Sequence, residues 1–223
     1  MKKDKVFAEG LCLEKICTIF IIFSVFGCYY EMILEFVKRF IKDGTIFWET
    51  RSAVLYGPFN VIYGLGAVIV LLILGRKYMR WYKVFIYGSL IGGLFEYICS
   101  FLQEKITSTT SWNYSHQLLS INGRTTIPIM IGWGLICLIF IKWIYPHLSN
   151  LIESIPNKTG TIILSILMIL LCIDMLLSFS AVLRQNFRQN NMKPISFFGE
   201  FLDKYYPDER IKKAYPLMRF VER

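Results

Sequence analysis

Three carboxylates that lie within or beside long apolar stretches are the residues of this sequence best able to do chemistry. Glu96 and Asp174 interrupt such stretches, and Glu31 lies near the end of a third. An ionisable group in bilayer hydrocarbon costs at least about 2.5 kcal/mol, so Glu96 and Asp174 are expected to face a cavity or a partner. Glu96 could bind a substrate or exchange a proton, or it could form a structural bond to a neighbouring helix. Glu31 is close enough to the membrane interface to snorkel towards it.

Basic and aromatic residues accompany these acids. Arg51 and Arg124 are candidate partners for Asp174, which would otherwise have to be protonated at that depth, and candidate clamps for an anionic group. Trp112 and Tyr114 suit anchors at the membrane interface. The remaining candidates for a polar cluster or substrate path are Gly57, Pro58, Tyr63, Asn113 and Asn122.

Several kinds of site are poorly supported by the sequence. His116 and His147 stand alone, and none of the six cysteines forms a C-x-x-C pair, so we expect no metal, cofactor or disulfide. The sequence has no G-x-x-x-x-G-K-[ST] phosphate loop, so ATP hydrolysis is not expected of this chain. The basic residues lie between or beyond the apolar runs, where lipid headgroups are the natural anions and nucleic acid is not an expected partner.

The elements that must position these residues are membrane helices. Hydrophobic residues make up 55% of the 223 residues and charged residues 18%, against roughly 25% charged in a soluble domain. Five segments approach the ~20 residues that a helix needs to cross a bilayer. The sequence therefore predicts an all-α, polytopic membrane helix bundle with a retained first helix rather than a cleaved signal peptide. The predicted spans are residues 16–34, 56–75, 84–102, 127–144 and 161–183.

The domain organisation predicted is a membrane domain over residues 1–183 and a basic tail over residues 184–223. The tail is partly amphipathic. It could form a short helix on the membrane surface or fold as a soluble helix against the bundle, and the sequence does not separate these alternatives.

Alternation of helices across the membrane gathers the polar residues on one face. The end of the first span, the start of the second, the end of the third and the start of the fourth share that face. Gly88 and Gly92 have the spacing that lets helices approach closely, and Glu96 continues nearly the same stripe. Residues 57–66 are rich in helix-weakening residues, so this segment is expected either to bend, unwind or re-enter the membrane, or to pack tightly through its glycines.

The order and spacing of several motifs resemble the ABC-transporter type IV permease family of bacterial membrane proteins over roughly residues 20–180. The resemblance is carried by Gly27-Cys28-Tyr29-Tyr30-Glu31, Leu55-Tyr56-Gly57-Pro58, Ile62-Tyr63-Gly64-Leu65-Gly66-Ala67, Glu96-Tyr97, Trp112-Asn113-Tyr114-Ser115, Asn122-Gly123-Arg124, Trp133-Gly134 and Asp174. The sequence departs from the family at Thr50 and Ser52, where the family has Asn and Gly beside the arginine, and at Asn113, where the family has Asp.

The resemblance implies a permease subunit of a bacterial cell membrane that forms a substrate path and is energised by a separate ATPase. Membrane lipids and a second copy of the chain are further expected partners, because five helices are few for a complete path. One alternative is a membrane enzyme or binding protein for a lipid or small amphipathic molecule, with Glu31 and Glu96 as acid and base. A structural or regulatory membrane subunit is the second alternative, and a non-enzymatic role is favoured over an enzymatic one.

Overall fold

The computed structural model describes residues 6–75 and 79–221, and their architecture is a bundle of long helices. The helices are α1 (Leu13–Asp43), α2 (Val61–Leu74), α3 (Trp81–Thr107), α4 (Ile127–Ile139), α5 (Tyr145–Glu153), α6 (Asn157–Gln189), α7 (Phe197–Tyr205) and α8 (Asp208–Ala214). A π-helical turn, Phe140–Ile144, joins α4 to α5. The prediction of an all-α membrane bundle is confirmed.

Four helical stretches in the described part of the chain are long and apolar enough to cross a membrane. They are Leu13–Asp43, Trp81–Thr107, Ile127–Glu153 and Asn157–Gln189. The helices extend past several predicted ends, because the charged residues that end the apolar runs still favour helix.

The fifth predicted span, residues 56–75, is shorter than expected. Helix α2 has 14 residues and is about 21 Å long, less than the ~30 Å hydrocarbon core. Residues 56–60 are not helical, since Gly57 adopts a left-handed backbone angle (φ +75°) and Pro58 follows it. Both anticipated features of residues 57–66 therefore occur, an irregular entry and a helix packed through glycine.

The membrane helices form two hairpins. Helix α1 packs mainly on α2, and α3 packs mainly on α4. Gly64 of α2 lies against the Phe20 carbonyl and the Ser24 hydroxyl of α1. Gly88 and Gly92 lie against Cys137 and Trp133 of α4. Close approach of the backbones is thus the basis of both hairpins.

The loops and the tail meet on one side of the bundle. Four short strands lie there, β1 (Thr109–Thr110), β2 (Ser120–Ile121), β3 (Thr125–Thr126) and β4 (Arg219–Phe220). Strand β4 of the tail pairs antiparallel with β1, and β2 pairs with β3. The division at residue 183 remains a prediction, and its residues 1–5, 76–78 and 222–223 lie outside the described ranges.

Candidate functional site

Glu96 lies in a polar environment between helices α3 and α4. Its side chain is buried, and the Thr125 hydroxyl donates a hydrogen bond to Oε2 at 2.6 Å. The Tyr114 hydroxyl donates to Oε1 at 3.2 Å. No basic side chain of the described residues forms an ion pair with Glu96, and its hydrogen bonds come from two hydroxyl groups.

Glu31 faces the same region from helix α1. Its carboxylate interacts electrostatically with the hydroxyls of Tyr63 and Tyr114. The Tyr63 and Trp133 rings lie 5.9 Å apart, centroid to centroid, and so connect the two hairpins. Trp133 Nε1 is buried without a partner in hydrogen-bonding geometry, although it interacts at longer range with Glu96.

These side chains form a continuous polar seam between the α1–α2 hairpin and the α3–α4 hairpin. We define the polar seam as Glu31, Tyr63, Glu96, Tyr114, Thr125 and Trp133. Burial and the nearby Glu96 carboxylate raise the pKa of Tyr114, which lies in the loop after α3. Tyr114 therefore keeps its proton at neutral pH and acts as a donor.

The loop between α3 and α4 positions Tyr114 through contacts among its own motifs. The backbone N–H of Tyr114 donates to the Gly123 carbonyl at 2.8 Å, and Trp112 Nε1 donates to the Arg124 carbonyl at 3.0 Å. Asn113 Oδ1 accepts hydrogen bonds from the backbone and the hydroxyl of Ser115. These residues therefore build the loop that closes the seam.

Asn122 and Arg124 connect that loop to α3. Asn122 Nδ2 donates to the Tyr97 hydroxyl at 3.0 Å. Arg124 forms an ion pair with Glu104 at 2.6 Å, and Nη1 donates to Ser100 Oγ at 3.2 Å. The charge of Arg124 is thus neutralised on α3.

Arg51 is buried beside the end of α1, among acids that the sequence did not single out. Its Nη1 lies 2.9 Å from Glu49 Oε2, and Nη2 lies 3.7 Å from Glu35 Oε1. Neither nitrogen has a partner in hydrogen-bonding geometry. Arg51 also acts electrostatically on Glu31, which places this cation at the edge of the polar seam.

Asp174 belongs to a separate group, the latch, which we define as Leu55, Tyr56, Asp174 and Ser178. Asp174 Oδ2 accepts a hydrogen bond from the Tyr56 backbone N–H at 3.1 Å, and Oδ1 accepts one from Ser178 Oγ at 3.1 Å. Ser178 Oγ in turn accepts from the Leu55 backbone N–H at 2.8 Å. The partners of Asp174 in the described residues are these groups, and neither Arg51 nor Arg124 pairs with it.

The tail covers the latch. The hydroxyls of Tyr56 and Tyr206 lie 2.8 Å apart, and Arg210 Nη2 donates to the Tyr56 hydroxyl at 3.0 Å. Burial, followed by the contact with Tyr56, raises the pKa of Tyr206 to about 12. Gly57 and Pro58 shape the turn that presents Tyr56, so they contribute to the latch and not to the seam.

Sequence reasoning missed several contributors to these sites. Thr125 lies in β3, directly before the apolar helix α4. Its position next to an apolar run was the only signal in the sequence, because no motif marks it as a partner of Glu96. Tyr206 and Arg210 lie more than 25 residues after Asp174, and only the fold of the tail brings them near it. Among residues 6–75 and 79–221, no three His, Cys, Asp or Glu side chains come together as metal ligands.

A family model described as "Putative ABC-transporter type IV" matches residues 18–179. The chain belongs to this family. No curated protein and no solved structure matches the chain. Membership in the ABC-transporter type IV family supports a role related to transport. Its four long apolar helices agree with a membrane-embedded protein.

The family match includes both the polar seam and the latch but not the tail residues that cover the latch. All six residues of the polar seam and all four of the latch lie between residues 18 and 179. Tyr206 and Arg210 lie beyond the match. The ABC-transporter type IV region therefore contains the complete seam, while the cover over the latch comes from the tail.

Proposed function

We propose that the chain is a permease subunit of a bacterial ABC transporter and that its polar seam forms part of the substrate path. A separate ATPase supplies the energy. The observation that carries the proposal is Glu96, a buried carboxylate inside the membrane bundle with hydroxyl donors and no ion-pair partner among the described residues. An ionisable residue inside a membrane bundle is costly, and such residues commonly mark substrate, ion or proton pathways.

The place of the seam supports a path more than a packing role. It lies between two hairpins that are each tightly packed internally, so a movement of one hairpin relative to the other would open the seam without breaking either. Substrate sites at the interface between moving bundles are the common solution in membrane transporters.

The seam reaches the outside of the single chain near the middle of α1, because this helix continues to Asp43, beyond the predicted end of the first span at residue 34. Phe26 and Tyr30 of α1 are exposed, and the Tyr30 ring lies 6.2 Å from that of Tyr63. Glu31 beside them is only partly buried. A second copy of the chain or a partner permease subunit on this side would complete the path.

Purification of the tagged chain from membranes of its own cells, in mild detergent, tests the proposal. An ATP-hydrolysing subunit should co-purify in fixed stoichiometry, and the complex in liposomes should hydrolyse Mg-ATP faster when fractions containing the substrate are added. A chain that purifies without any ATP-hydrolysing subunit would overturn the proposed permease role.

Glu96→Gln then tests the seam itself. This variant should retain the ATPase subunit and lose the stimulation, because the amide cannot carry the charge or the proton. Glu200→Gln on α7, an exposed carboxylate far from the seam, is the matched control and should behave as the wild type. Full stimulation in Glu96→Gln would remove Glu96 from the path.

A further inference from the structure

The outer face of α7 is an exposed aromatic surface. Phe197, Phe198, Phe201 and Tyr205 occupy an arc of about 100° on this helix, and the buried Leu202 lies about 40° beyond Phe198. Phe201 is partly buried against the cluster that contains Leu202, so the exposed members of the arc are Phe197, Phe198 and Tyr205. Phe197 is 85% exposed, and Phe198 and Tyr205 are about half exposed. The Phe201 ring lies 6.1 Å from that of Phe198 and 4.9 Å from that of Tyr205. Contiguous apolar surface of this kind marks an interaction site.

The inner face of α7 is fixed to the end of α6. Leu202 packs with Ala181 and Ile211. Arg184 donates two hydrogen bonds to Asp203, at 2.8 Å and 2.7 Å, and Arg188 donates a third at 2.7 Å. A bidentate arginine–carboxylate pair fixes orientation as well as distance. Helix α7 therefore cannot turn its aromatic face towards the bundle without breaking this ion pair.

Helix α7 is attached to the end of α6, a helix long and apolar enough to cross a membrane. Leu176, Phe179 and Phe187 are exposed along the last part of α6, and seven residues separate the end of α6 from the start of α7. On the same side of the bundle, Phe47 and Trp48 are exposed just after α1. Exposed aromatic residues at the ends of spans mark the level of the lipid headgroups.

The residues beside the aromatic face fit the chemistry of a bilayer surface. Lys193 and Lys204 are exposed at the two ends of the segment, and Ile195 between α6 and α7 is fully exposed. Apolar side chains that are flanked by lysines are the pattern of a helix lying in the interface, where the lysines contact anionic headgroups.

We propose that the outer face of α7 lies in the membrane interface of the leaflet at which α6 ends, with Phe197 and Phe198 inserted among the lipids. Lipid is the occupant because α7 is bound to the end of a helix long and apolar enough to cross a membrane, and because its exposed aromatic residues are flanked by lysines. The tail thereby fixes the depth of the latch and of α6 in the membrane. This inference does not depend on the permease role, since it concerns lipid contact alone.

Photo-crosslinking identifies the occupant directly. The chain is produced with p-benzoylphenylalanine in place of Phe197 and irradiated in membrane vesicles of the expressing cells. Mass spectrometry of the purified chain should show adducts with the mass of a phospholipid. Adducts of protein size would show that a second copy or another subunit covers this face, and the absence of any adduct would show that it faces water. Either result would overturn the proposal.

Control positions in the same chain calibrate the yield. Ile173, exposed in the middle of α6, should give lipid adducts, whereas Lys212 on the exposed side of α8 should give few. Ile195→p-benzoylphenylalanine repeats the test at a fully exposed position where folding is not at risk. Lipid adducts at Ile173 but at neither position 195 nor 197 would contradict the interfacial placement.

Discussion

At the scale of single residues, the Thr125 hydroxyl is the contact that decides whether Glu96 is held in the seam. Thr125→Val keeps the shape of the side chain and removes the 2.6 Å donor. We expect a loss of about 1 kcal/mol in stability, because a buried acceptor loses its partner. Unfolding of the purified protein in mild detergent, followed with increasing temperature, measures this change.

A double-mutant cycle separates this bond from general packing. In a Glu96→Leu background, Thr125→Val should change the stability little, since the acceptor is already gone. Ser180→Ala is the control, because its hydroxyl bonds only to a carbonyl of its own helix. Equal losses from Thr125→Val in both backgrounds would show that the hydroxyl does not act through Glu96.

The sequence alone identified the acidic residues of the polar seam and of the latch, but it did not identify all of their hydrogen-bonding partners. Glu31, Glu96 and Asp174 were recognisable because charge within apolar sequence is costly and therefore informative. The arginines were the obvious partners by charge, yet Arg124 pairs with Glu104 and Arg51 with Glu49. Asp174 instead binds a backbone N–H, a donor that every residue carries and that no sequence pattern marks.

At the scale of elements, the contact between α3 and α4 depends on the absence of a side chain at Gly92. A Cβ there would overlap the Trp133 side chain, so Gly92→Ala must separate the two helices. Overpacking of this kind costs about 1–3 kcal/mol. Gly132→Ala on α4 is the matched control, because a Cβ at that position meets nothing within 4 Å. Thermal unfolding should rank Gly92→Ala well below the wild type and Gly132→Ala level with it or above.

Hydrogen exchange can measure directly whether the segment that contains Leu55 and Tyr56 is held by Asp174. Asp174→Leu removes the acceptor of the Tyr56 N–H, whereas Asp174→Asn retains an acceptor oxygen. Hydrogen–deuterium exchange of the peptide that contains Leu55 and Tyr56 should become much faster in the leucine variant and change little in the asparagine variant. Unchanged exchange in Asp174→Leu would mean that Ser178, Tyr206 and Arg210 hold this segment without Asp174.

The attachment of α7 to α6 should respond to pH through Asp203. Hydrogen bonds from Arg184, and then from Arg188, hold the pKa of Asp203 below its usual value. A carboxyl whose pKa is lower in the folded state contributes stability that is complete above its unfolded pKa of about 3.9. That contribution is lost as the pH falls through the folded value.

We therefore expect limited proteolysis of the tail to be independent of pH between about 5 and 8 and to accelerate below about pH 4. Asp203→Asn should expose the tail already at neutral pH and lose much of the acid-dependent step, while Glu200→Gln should retain the wild-type profile. An acid step of full size in Asp203→Asn would assign it to another group.

At the scale of the whole molecule, hydropathy predicted the helices well and their edges less well. The long apolar runs predict α1, α3, α4 and α6 because a single span of about 20 residues satisfies its own backbone groups in lipid only as a helix. The start of α2 depends on α6, more than 100 residues away, which supplies Asp174 and Ser178. The exposed aromatic face of α7 likewise depends on how Asp203 meets Arg184, a pairing that the composition of the tail does not specify.

The membrane topology of the helices is the prediction on which the site depends most, because the polar seam exists only if α1 and α3 end on the same side of the membrane. Single cysteines at Thr45, His116 and Ser154, each in a background without the native cysteines, test this arrangement in intact cells. Positions 45 and 116 should react alike with a membrane-impermeant maleimide, and position 154, between α5 and α6, should react oppositely. If positions 45 and 116 react from opposite sides, α1 and α3 do not run in the same direction, and the arrangement that brings Glu31 and Glu96 into one seam is wrong.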